Sequence, residues 1–240
     1  MAKVLLVGAG HMGQALLRSW INSNIKDITV IDPNVHKNNN KIFNLKLYKS
    51  PKEIKNINNF DIIFFAVKPQ VINQVIKDYK ILTLKNKLII SIIAGKEIKY
   101  FEKHFGKKIS IIRTMPNLPA SVARGVTCLF SNKNVSLKQK KLTNKLFKAV
   151  GKTFWVDNES YINKFTAVSG SGPAYFYFFI ECLSKAGVKI GFNKKESYAI
   201  AEETAIGSIR LLKSSKDEAE KLRKKIAIKG GTTEAAIKSF

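Results

Sequence analysis

The sequence predicts an α/β fold, with a doubly wound parallel sheet in its first two thirds and an all-helical domain after it. Short apolar runs alternate with amphipathic stretches as far as residue 156, which is typical of strands and helices that alternate along a parallel sheet. After residue 158 the strand-like runs disappear, and the remaining segments have helical periodicity. We therefore predict one domain over residues 1–158 and a second, helical domain over residues 159–240.

The first predicted strand leads directly into a glycine-rich turn. Residues 4–7 are apolar and too few for a helix, so they suit a strand that is buried on both faces. Gly8, Gly10 and Gly13 have the G-x-G-x-x-G spacing, which permits a tight turn, close approach of a pyrophosphate and close packing of the following helix. Asp32 lies where an acid can accept hydrogen bonds from the ribose hydroxyls of NAD. A strand, turn and helix with only a structural role is the alternative. The predicted cofactor-binding residues of this region are Val7, Gly8, Ala9, Gly10, His11, Met12, Gly13 and Asp32.

The other elements of the first domain follow in order along the chain. Ser50, Pro51 and Glu53 combine three signals of a helix start: a capping serine, proline at the first helical position and an acid three residues after the serine. A serine cap and a glycine stop predict a helix over residues 136–150. The two prolines within residues 113–119 predict an extended turn. Strands are predicted at residues 28–31, 45–48, 61–67, 88–93, 109–112, 126–130 and 153–156.

The residues that follow two of these strands are expected to lie at the same edge of the sheet. In open parallel sheets the ligand binds beyond the carboxyl ends of the strands, so Lys68 is expected to point into that crevice. A surface lysine before a helix is the alternative. Ala94 and Gly95 are small enough to let a flat ring approach the backbone. Lys37 lies in the polar stretch after Asp32 and could offset a ribose phosphate, so Asp32 favours NAD while Lys37 leaves NADP open.

The net charge of +25 would favour a nucleic-acid or membrane partner, but the distribution of the charge argues against both. Only five of the 42 basic residues are arginine, and the lysines are spread through every segment, as expected for solvated faces. Cys128 and Cys182 lie within predicted elements, so we expect free, buried thiols in a reducing compartment. No cysteine and histidine cluster has metal-ligand spacing, and the apolar run at residues 174–180 is too short to span a membrane. We expect a soluble, cytoplasmic protein.

The second domain begins with a helix that is apolar around its whole circumference. Residues 173–180 leave no polar face for solvent, so part of that surface is expected to meet another subunit. A stripe of Ala201, Ala205, Ile209 and Leu212 indicates close helix pairing and an obligate dimer. A single helix buried within one subunit is the alternative. Helices are predicted at residues 159–168, 173–186, 194–213 and 216–227, with a last one opening near Thr232.

Six segments, in this order along the chain, resemble the pyrroline-5-carboxylate reductases, and the resemblance covers the whole chain. They are residues 8–13, 66–70, 94–95, 115–119, 169–175 and 230–233. The resemblance implies a Rossmann-type sheet followed by an all-helical dimerisation domain. It implies hydride transfer from NADH or NADPH to the C=N carbon of 1-pyrroline-5-carboxylate, which gives L-proline in the last step of proline biosynthesis. It also implies a homodimer, often assembled into a ring of dimers. Because the iminium of the substrate is already electrophilic, no metal is expected.

The same resemblance implies roles for individual residues. The threonine hydroxyl of Thr233 can both donate and accept, so it can bond the substrate nitrogen as imine becomes amine. The amides of residues 230–233 can form a nest for the substrate carboxylate. Glu159 could stabilise the cationic nitrogen or be a solvated acid at a helix start. The implied catalytic residues are Thr233 and Lys68. The residues implied to line the cofactor are Ala66, Val67, Lys68, Pro69, Ile92, Ile93, Ala94, Gly95 and Asn117. The residues implied to line the substrate are Glu159, Ser169, Gly230, Gly231, Thr232 and Thr233.

The chain departs from the family pattern next to the last motif. Members of the family usually have Ser-Pro before the two glycines, whereas this chain has Ile228 and Lys229, which removes a hydroxyl and adds a positive charge. The sequence also stops at Phe240, about one helix before the usual ending, so we expect reduced stability but retained activity. The alternatives are a related imine reductase, a β-hydroxyacid dehydrogenase, or a non-catalytic protein that binds a dinucleotide or nucleic acid.

Overall fold

The computed structural model describes residues 2–34, 45–79 and 87–238, and it divides into two compact units. The first unit is Met1–Pro173 and the second is Ala174–Phe240. The first unit thus includes the short helical segments that follow residue 158, where the sequence analysis placed the domain boundary. Each unit is described by itself below.

The first unit is built on an eight-stranded sheet. The strand order is β3-β2-β1-β4-β5-β6-β7-β8, and all neighbouring pairs are parallel except β6 and β7. The order reverses at β1, as in doubly wound dinucleotide-binding sheets, which confirms the predicted fold class. The strands are β1 (Val4–Val7), β2 (Ile28–Ile31), β3 (Lys46–Tyr48), β4 (Ile62–Phe65), β5 (Leu88–Ser91), β6 (Ser110–Met115), β7 (Gly125–Ser131) and β8 (Gly151–Trp155).

The helices α1 to α4 lie between these strands, and only helices follow β8 among the described residues. The α-helices are α1 (His11–Asn22), α2 (Ile72–Val75), α3 (Ile98–Phe105), α4 (Leu137–Lys148), α5 (Tyr161–Phe165), α6 (Gly172–Lys189), α7 (Lys194–Ser214), α8 (Ala219–Ile226) and α9 (Thr232–Ile237). A π-helix covers Thr166–Gly170, between α5 and α6. Short 3₁₀ helices cover Pro51–Glu53, Ile57–Asn59, Ile76–Tyr79 and Leu118–Val122.

The central strands are buried at every position, which explains why their sequences are continuously apolar. Successive side chains of one strand point to opposite faces, so Leu6 and Leu5 belong to two separate cores. On one face Trp20 of α1 packs edge-on against Phe64 of β4, and its indole nitrogen donates to the Leu146 carbonyl oxygen at 2.9 Å. On the other face Phe101 of α3 is fully buried. Both faces of the sheet are therefore covered.

The element boundaries differ from the prediction where a strand has a distant partner. Residues 113–115 continue β6 instead of starting the turn, because Thr114 and Met115 pair with Leu129 and Cys128 of the antiparallel β7. The helix start predicted at Ser50 extends only to the 3₁₀ turn that ends at Glu53, although the Ser50 side chain does accept from the amide of Lys52. The cap predicted at residue 136 is confirmed, since that serine and Gln139 form a capping box at the start of α4.

The second unit buries little of its own surface. Among its described residues, only Ser184, Ser197 and Ala201 are buried. The Ser197 hydroxyl of α7 donates to the Ser184 carbonyl oxygen of α6 at 2.5 Å, so the two helices approach closely there. The aromatic side chains at residues 175–179 of α6 are each about half exposed. No helix within the described residues is long and apolar enough to span a membrane.

The two cysteines differ in their surroundings. Cys128 is buried in β7, as expected, and burial raises the pKa of its thiol. Cys182 is exposed on α6, so the expectation that it is buried is wrong for the single chain. It lies on the same helix as the half-exposed aromatic residues.

Candidate functional site

Register places the carboxyl ends of the parallel strands side by side. Val7 of β1 pairs with Ile31 of β2 and Phe65 of β4, and Phe65 pairs in turn with Ser91 of β5. The residues that follow these strand ends therefore lie along one edge of the sheet, in the order Asp32, Gly8, Ala66 and Ile92. Because β1 is the strand at which the order reverses, this edge is where an open α/β sheet binds its ligand.

A cleft of about 570 Å³ opens at this edge. Its wall brings together the residues predicted to bind the cofactor from three separate segments: Val7, Gly8, Gly10, Asp32, Ala66, Val67 and Lys68. A larger cleft of about 870 Å³ lies at the opposite edge, against the starts of β4, β5 and β6, and contains none of the predicted site residues. The position of the strand ends, and not the cleft volume, therefore favours the smaller cleft as the candidate ligand site.

The three glycines of the turn have three different surroundings. Gly8 has a φ of +97°, and a Cβ added there would lie 2.8 Å from the Ala66 carbonyl oxygen. A Cβ at Gly13 would collide with the carbonyl oxygen of Gly8, whereas a Cβ at Gly10 would meet nothing within 4 Å. Gly8 and Gly13 are thus required by the fold, and Gly10 leaves open space at the start of α1. No side chain of the described residues caps the first turn of α1, so its amides can bind an anion.

The Asp32 carboxylate joins the glycine-rich turn to the chain that follows β2. One carboxylate oxygen accepts from the Ala9 amide at 2.7 Å, and the other accepts from the Asn34 amide at 2.8 Å. These two bonds fix the carboxylate at the cleft wall, and each oxygen keeps a further lone pair for a ribose hydroxyl. Lys37, which left NADP open, lies outside the described residues.

The cleft also contains residues that sequence reasoning missed. Lys49 and Ser50 follow β3, which lies beside β2, and both contribute to the wall. Their place after a strand end was the signal that could have found them. Tyr79 also contributes to the wall, although its side chain is buried and its hydroxyl has no hydrogen-bond partner among the described residues. Burial, with a smaller contribution from the Asp78 carboxylate, raises the pKa of the Tyr79 phenol well above its usual range.

The segment after β5 is held firmly at its start. The Ile92 amide donates to the Phe65 carbonyl oxygen at 3.1 Å, and the Ile93 amide donates to the Ser91 hydroxyl at 3.2 Å. The Thr114 hydroxyl of β6 donates to the Ser91 carbonyl oxygen at 3.1 Å. Residues 92–95 thus continue the sheet edge beyond Ala66, although they do not contribute to the wall of the cleft.

Asn117 and Ser169 are brought together by a hydrogen bond. The Asn117 side-chain nitrogen donates to the Ser169 carbonyl oxygen at 2.9 Å, and its side-chain oxygen accepts from the Val126 amide at 2.8 Å. The Asn117 side chain is nearly fully buried, so it links the turn after β6 to β7 and to the π-helix. π-Helical turns are frequent at functional sites.

The Glu159 carboxylate is paired within the first unit, which contradicts the expectation of a solvated acid, whereas its contact with the substrate stays a prediction. One of its carboxylate oxygens accepts from the Ile98 amide at 2.8 Å and from the Arg113 guanidinium at 3.1 Å. The Arg113 side chain is only 3% exposed, and that of Glu159 is 22% exposed. The carboxylate is therefore ion-paired and largely shielded from solvent, not a free acid at a helix start.

In the second unit, the segment predicted to hold the substrate forms a tight turn before α9. Gly230 has a φ of +77°, and its amide donates to the Glu234 carboxylate at 2.8 Å. Gly231 caps α9, whose first residues are Thr232 and Thr233. Thr232 is exposed and Thr233 is half-buried. One amide of the turn, that of Gly230, thus bonds a carboxylate of the same chain, and the binding of a substrate carboxylate there stays a prediction.

Known proteins match both halves of the chain. Residues 159–240 match the pyrroline-5-carboxylate reductase dimerisation domain, and residues 3–95 match a family described as NADP oxidoreductase, coenzyme F420-dependent. The pyrroline-5-carboxylate reductase of Pseudomonas aeruginosa is 31% identical over 99% of this chain and 88% of its own length. This chain belongs to the pyrroline-5-carboxylate reductase family.

Two further members of the family support the assignment. The pyrroline-5-carboxylate reductase of Aquifex aeolicus is 33% identical over 98% of this chain and 88% of its own length. The crystal structure of the Plasmodium falciparum pyrroline carboxylate reductase, with NADP bound, superimposes with a TM-score of 0.87 at 34% identity. That match covers 99% of this chain and 88% of the other. The resemblance drawn from the sequence is confirmed, and the chain is an NAD(P)-dependent oxidoreductase.

Proposed function

We propose that this reductase transfers a hydride from NADH or NADPH to the C=N carbon of 1-pyrroline-5-carboxylate and releases L-proline. The observation that carries the proposal is the order of groups along the carboxyl edge of the sheet. Asp32 suits the adenosine ribose, the amides after Gly10 suit the pyrophosphate, and residues 92–95 suit the nicotinamide. When bound, the reduced nicotinamide supplies the hydride.

The protein contributes mainly orientation to this reaction. The Gly8 turn and the first turn of α1 hold the pyrophosphate, and Asp32 holds the ribose at a fixed position. The small residues Ala94 and Gly95 leave room for a flat ring beside the backbone. Holding the two reacting carbons in near contact replaces a bimolecular encounter and lowers the barrier without covalent chemistry by the protein.

Lys68 and Thr233 are the proposed catalytic residues. Lys68 is exposed at the wall of the cleft, where its ammonium group suits the anionic part of the cofactor. The Thr233 hydroxyl bonds the ring nitrogen of the substrate, and the amides of residues 230–233 bind the substrate carboxylate in place of Glu234. Lys229 supplies positive charge beside these amides, where the family usually has Ser-Pro.

We propose that the active form is a homodimer, which associates through the second unit. Its apolar side chains at residues 175–179 are half exposed, and three of its described residues are buried, which is too few for a core. A second copy of the same unit supplies the missing apolar surface, as the description of its family model suggests. Assembly of dimers into a ring follows the resemblance. We place the protein in the cytoplasm, where a reducing environment suits its free cysteines.

A steady-state assay tests the proposed function. Oxidation of NADH and of NADPH is followed with pyrroline-5-carboxylate, and in parallel with acyclic imines and with 2-keto and 3-keto acids. We expect turnover of the cyclic imine only, with NADH preferred because of Asp32. The Thr233→Ala variant should lose roughly 100-fold in kcat, as expected for a group that acts in the transition state. Turnover of the unaltered protein no greater than that of Thr233→Ala would contradict the proposal.

A further inference from the structure

An ion pair between the buried Arg113 and the largely shielded Glu159 connects separate segments of the first unit. Arg113 lies on β6, Glu159 follows β8, and the Ile98 amide begins α3. The Arg113 guanidinium also donates to the Asn163 side-chain oxygen at 3.2 Å, so α5 belongs to the same network. These contacts join residues that are between 46 and 61 positions apart in the chain.

The network ends at the segment assigned to the nicotinamide. Residues 92–97 connect β5 to α3, and they include Ala94 and Gly95. The start of this connection is held by the Ser91 hydroxyl, which accepts from the Ile93 amide. Its end is held by Glu159, which accepts from the Ile98 amide. A cofactor-facing turn of six residues is therefore fixed at both ends, and Glu159 supplies the second attachment.

We propose that Glu159 is a positioning residue for hydride transfer, which holds the 92–97 turn against Arg113 and so fixes the nicotinamide, instead of contacting the substrate. The inference rests on the proposed function of the 92–95 segment. It replaces the substrate-facing role that the family resemblance implied for Glu159.

The geometry favours positioning over substrate contact. The same Glu159 oxygen already accepts two hydrogen bonds, one of them from a cation. A guanidinium as buried as that of Arg113 requires a paired anion, because an uncompensated buried charge is strongly unfavourable. Recruiting the carboxylate to a substrate iminium would compete with this pairing. The negative charge of Glu159 is thus committed to Arg113.

The first experiment separates a positioned turn from a substrate contact. Glu159→Gln keeps an oxygen for the Ile98 amide but removes the charge that pairs with Arg113. We expect kcat to fall roughly 10- to 100-fold, as for a small displacement of reacting groups, while the KM for pyrroline-5-carboxylate stays within about twofold. The matched control is Glu102→Gln, a carboxylate on α3 that accepts from Asn132 and does not touch the start of the helix. It should retain full activity.

A binding experiment tests the inference without turnover. Because ADP-ribose lacks the nicotinamide, Glu159→Gln should weaken NADH binding roughly tenfold and leave ADP-ribose binding unchanged. Asn163→Ala, which removes the second partner of Arg113, should show the same pattern more weakly. This variant replaces Glu159→Gln in the binding experiment if Glu159→Gln does not fold. Absence of reductase activity in the unaltered protein would refute the proposed function, while the NADH and ADP-ribose comparison would still decide this inference.

A double variant provides the third test. If Glu159 acts through Arg113, then Arg113→Met combined with Glu159→Gln should be no slower than the slower single variant. The inference would be overturned if the losses in kcat of the two single variants multiplied in the double variant. It would also be overturned if Glu159→Gln raised only the KM for the substrate, or if it weakened the binding of NADH and of ADP-ribose equally.

Discussion

Replacing Asp32 by serine should change which cofactor the reductase prefers. Its carboxylate is held at the cleft wall by the amides of Ala9 and Asn34, so it occupies a fixed position beside the expected ribose. NADH has a hydroxyl at the 2′ position of this ribose, and NADPH has a phosphate. The carboxylate therefore accepts a hydrogen bond from the first and repels the second.

The size of the effect follows from these two interactions. A hydrogen bond to a charged acceptor contributes about 1.5–3 kcal/mol, so its loss should lower kcat/KM for NADH roughly 10- to 150-fold. Repulsion between unit charges at about 4 Å ranges from about 1 kcal/mol in bulk water to about 4 kcal/mol near a protein surface. In Asp32→Ser the loss of this repulsion should offset any other loss in kcat/KM for NADPH. The ratio of kcat/KM for NADH to that for NADPH should therefore fall by at least about tenfold.

The assay measures initial rates with both cofactors for the unaltered protein, Asp32→Ser and a matched control. Asp61→Ser is the control, because Asp61 also accepts from a backbone amide, that of Lys3 at 2.8 Å. Asp61 belongs to the cleft at the opposite edge of the sheet, so its loss should leave the cofactor ratio unchanged. Equal losses with NADH and NADPH in Asp32→Ser would show that Asp32 does not contact the ribose.

Three further predictions concern the cleft and the fold. Gly10→Ala should raise the KM for NADH and lower the Tm less than Gly13→Ala does, because Gly10 caps α1 in open space whereas a Cβ at Gly13 meets the Gly8 carbonyl oxygen. The opposite pattern would reverse their assigned roles. Ser136→Ala should lower the free energy of unfolding by about 1 kcal/mol in denaturant titrations without changing kcat, since Ser136 caps α4 far from the strand ends. Tyr79→Phe should leave the free energy of unfolding unchanged or increased, because the lost hydroxyl has no partner among the described residues; a clear decrease would indicate a hydrogen bond.

Local sequence information predicted the glycine turn and the acid at the cleft, but it missed Lys49, Ser50 and Tyr79 of the same wall. The strand at Val4–Val7 has the bounds that its apolar run predicted, and the glycines after it have the surroundings that their spacing required. Asp32 could be found because its position depends on one strand, one helix and a second strand of ordinary length. In such a unit the glycine turn and the acid lie within about 30 residues, so a local sequence pattern is enough to find both.

Contacts between residues that lie far apart in the chain were not predicted. The end of β6 depends on pairing with β7, which no periodicity within residues 109–119 can reveal. Glu159 presents the same difficulty, because its partners are the side chain of Arg113 and the amide of Ile98. A glutamate at a helix start has the same sequence pattern whether it is solvated, binds substrate or neutralises a buried arginine. Only the fold distinguishes these three cases.

The second unit shows a different limit, since the partner proposed for it is a second copy of the chain. The apolar circumference of α6 predicted a covered surface, yet its aromatic side chains at residues 175–179 are half exposed in one copy. Full burial of each such side chain contributes about 1.5–3 kcal/mol, so a single copy leaves much of its potential stabilisation unused. Ile200, Ile209 and Leu211 of α7 are also about half exposed. A partner that covers α6 alone would therefore leave α7 uncovered, and the interface of the proposed dimer must include both helices.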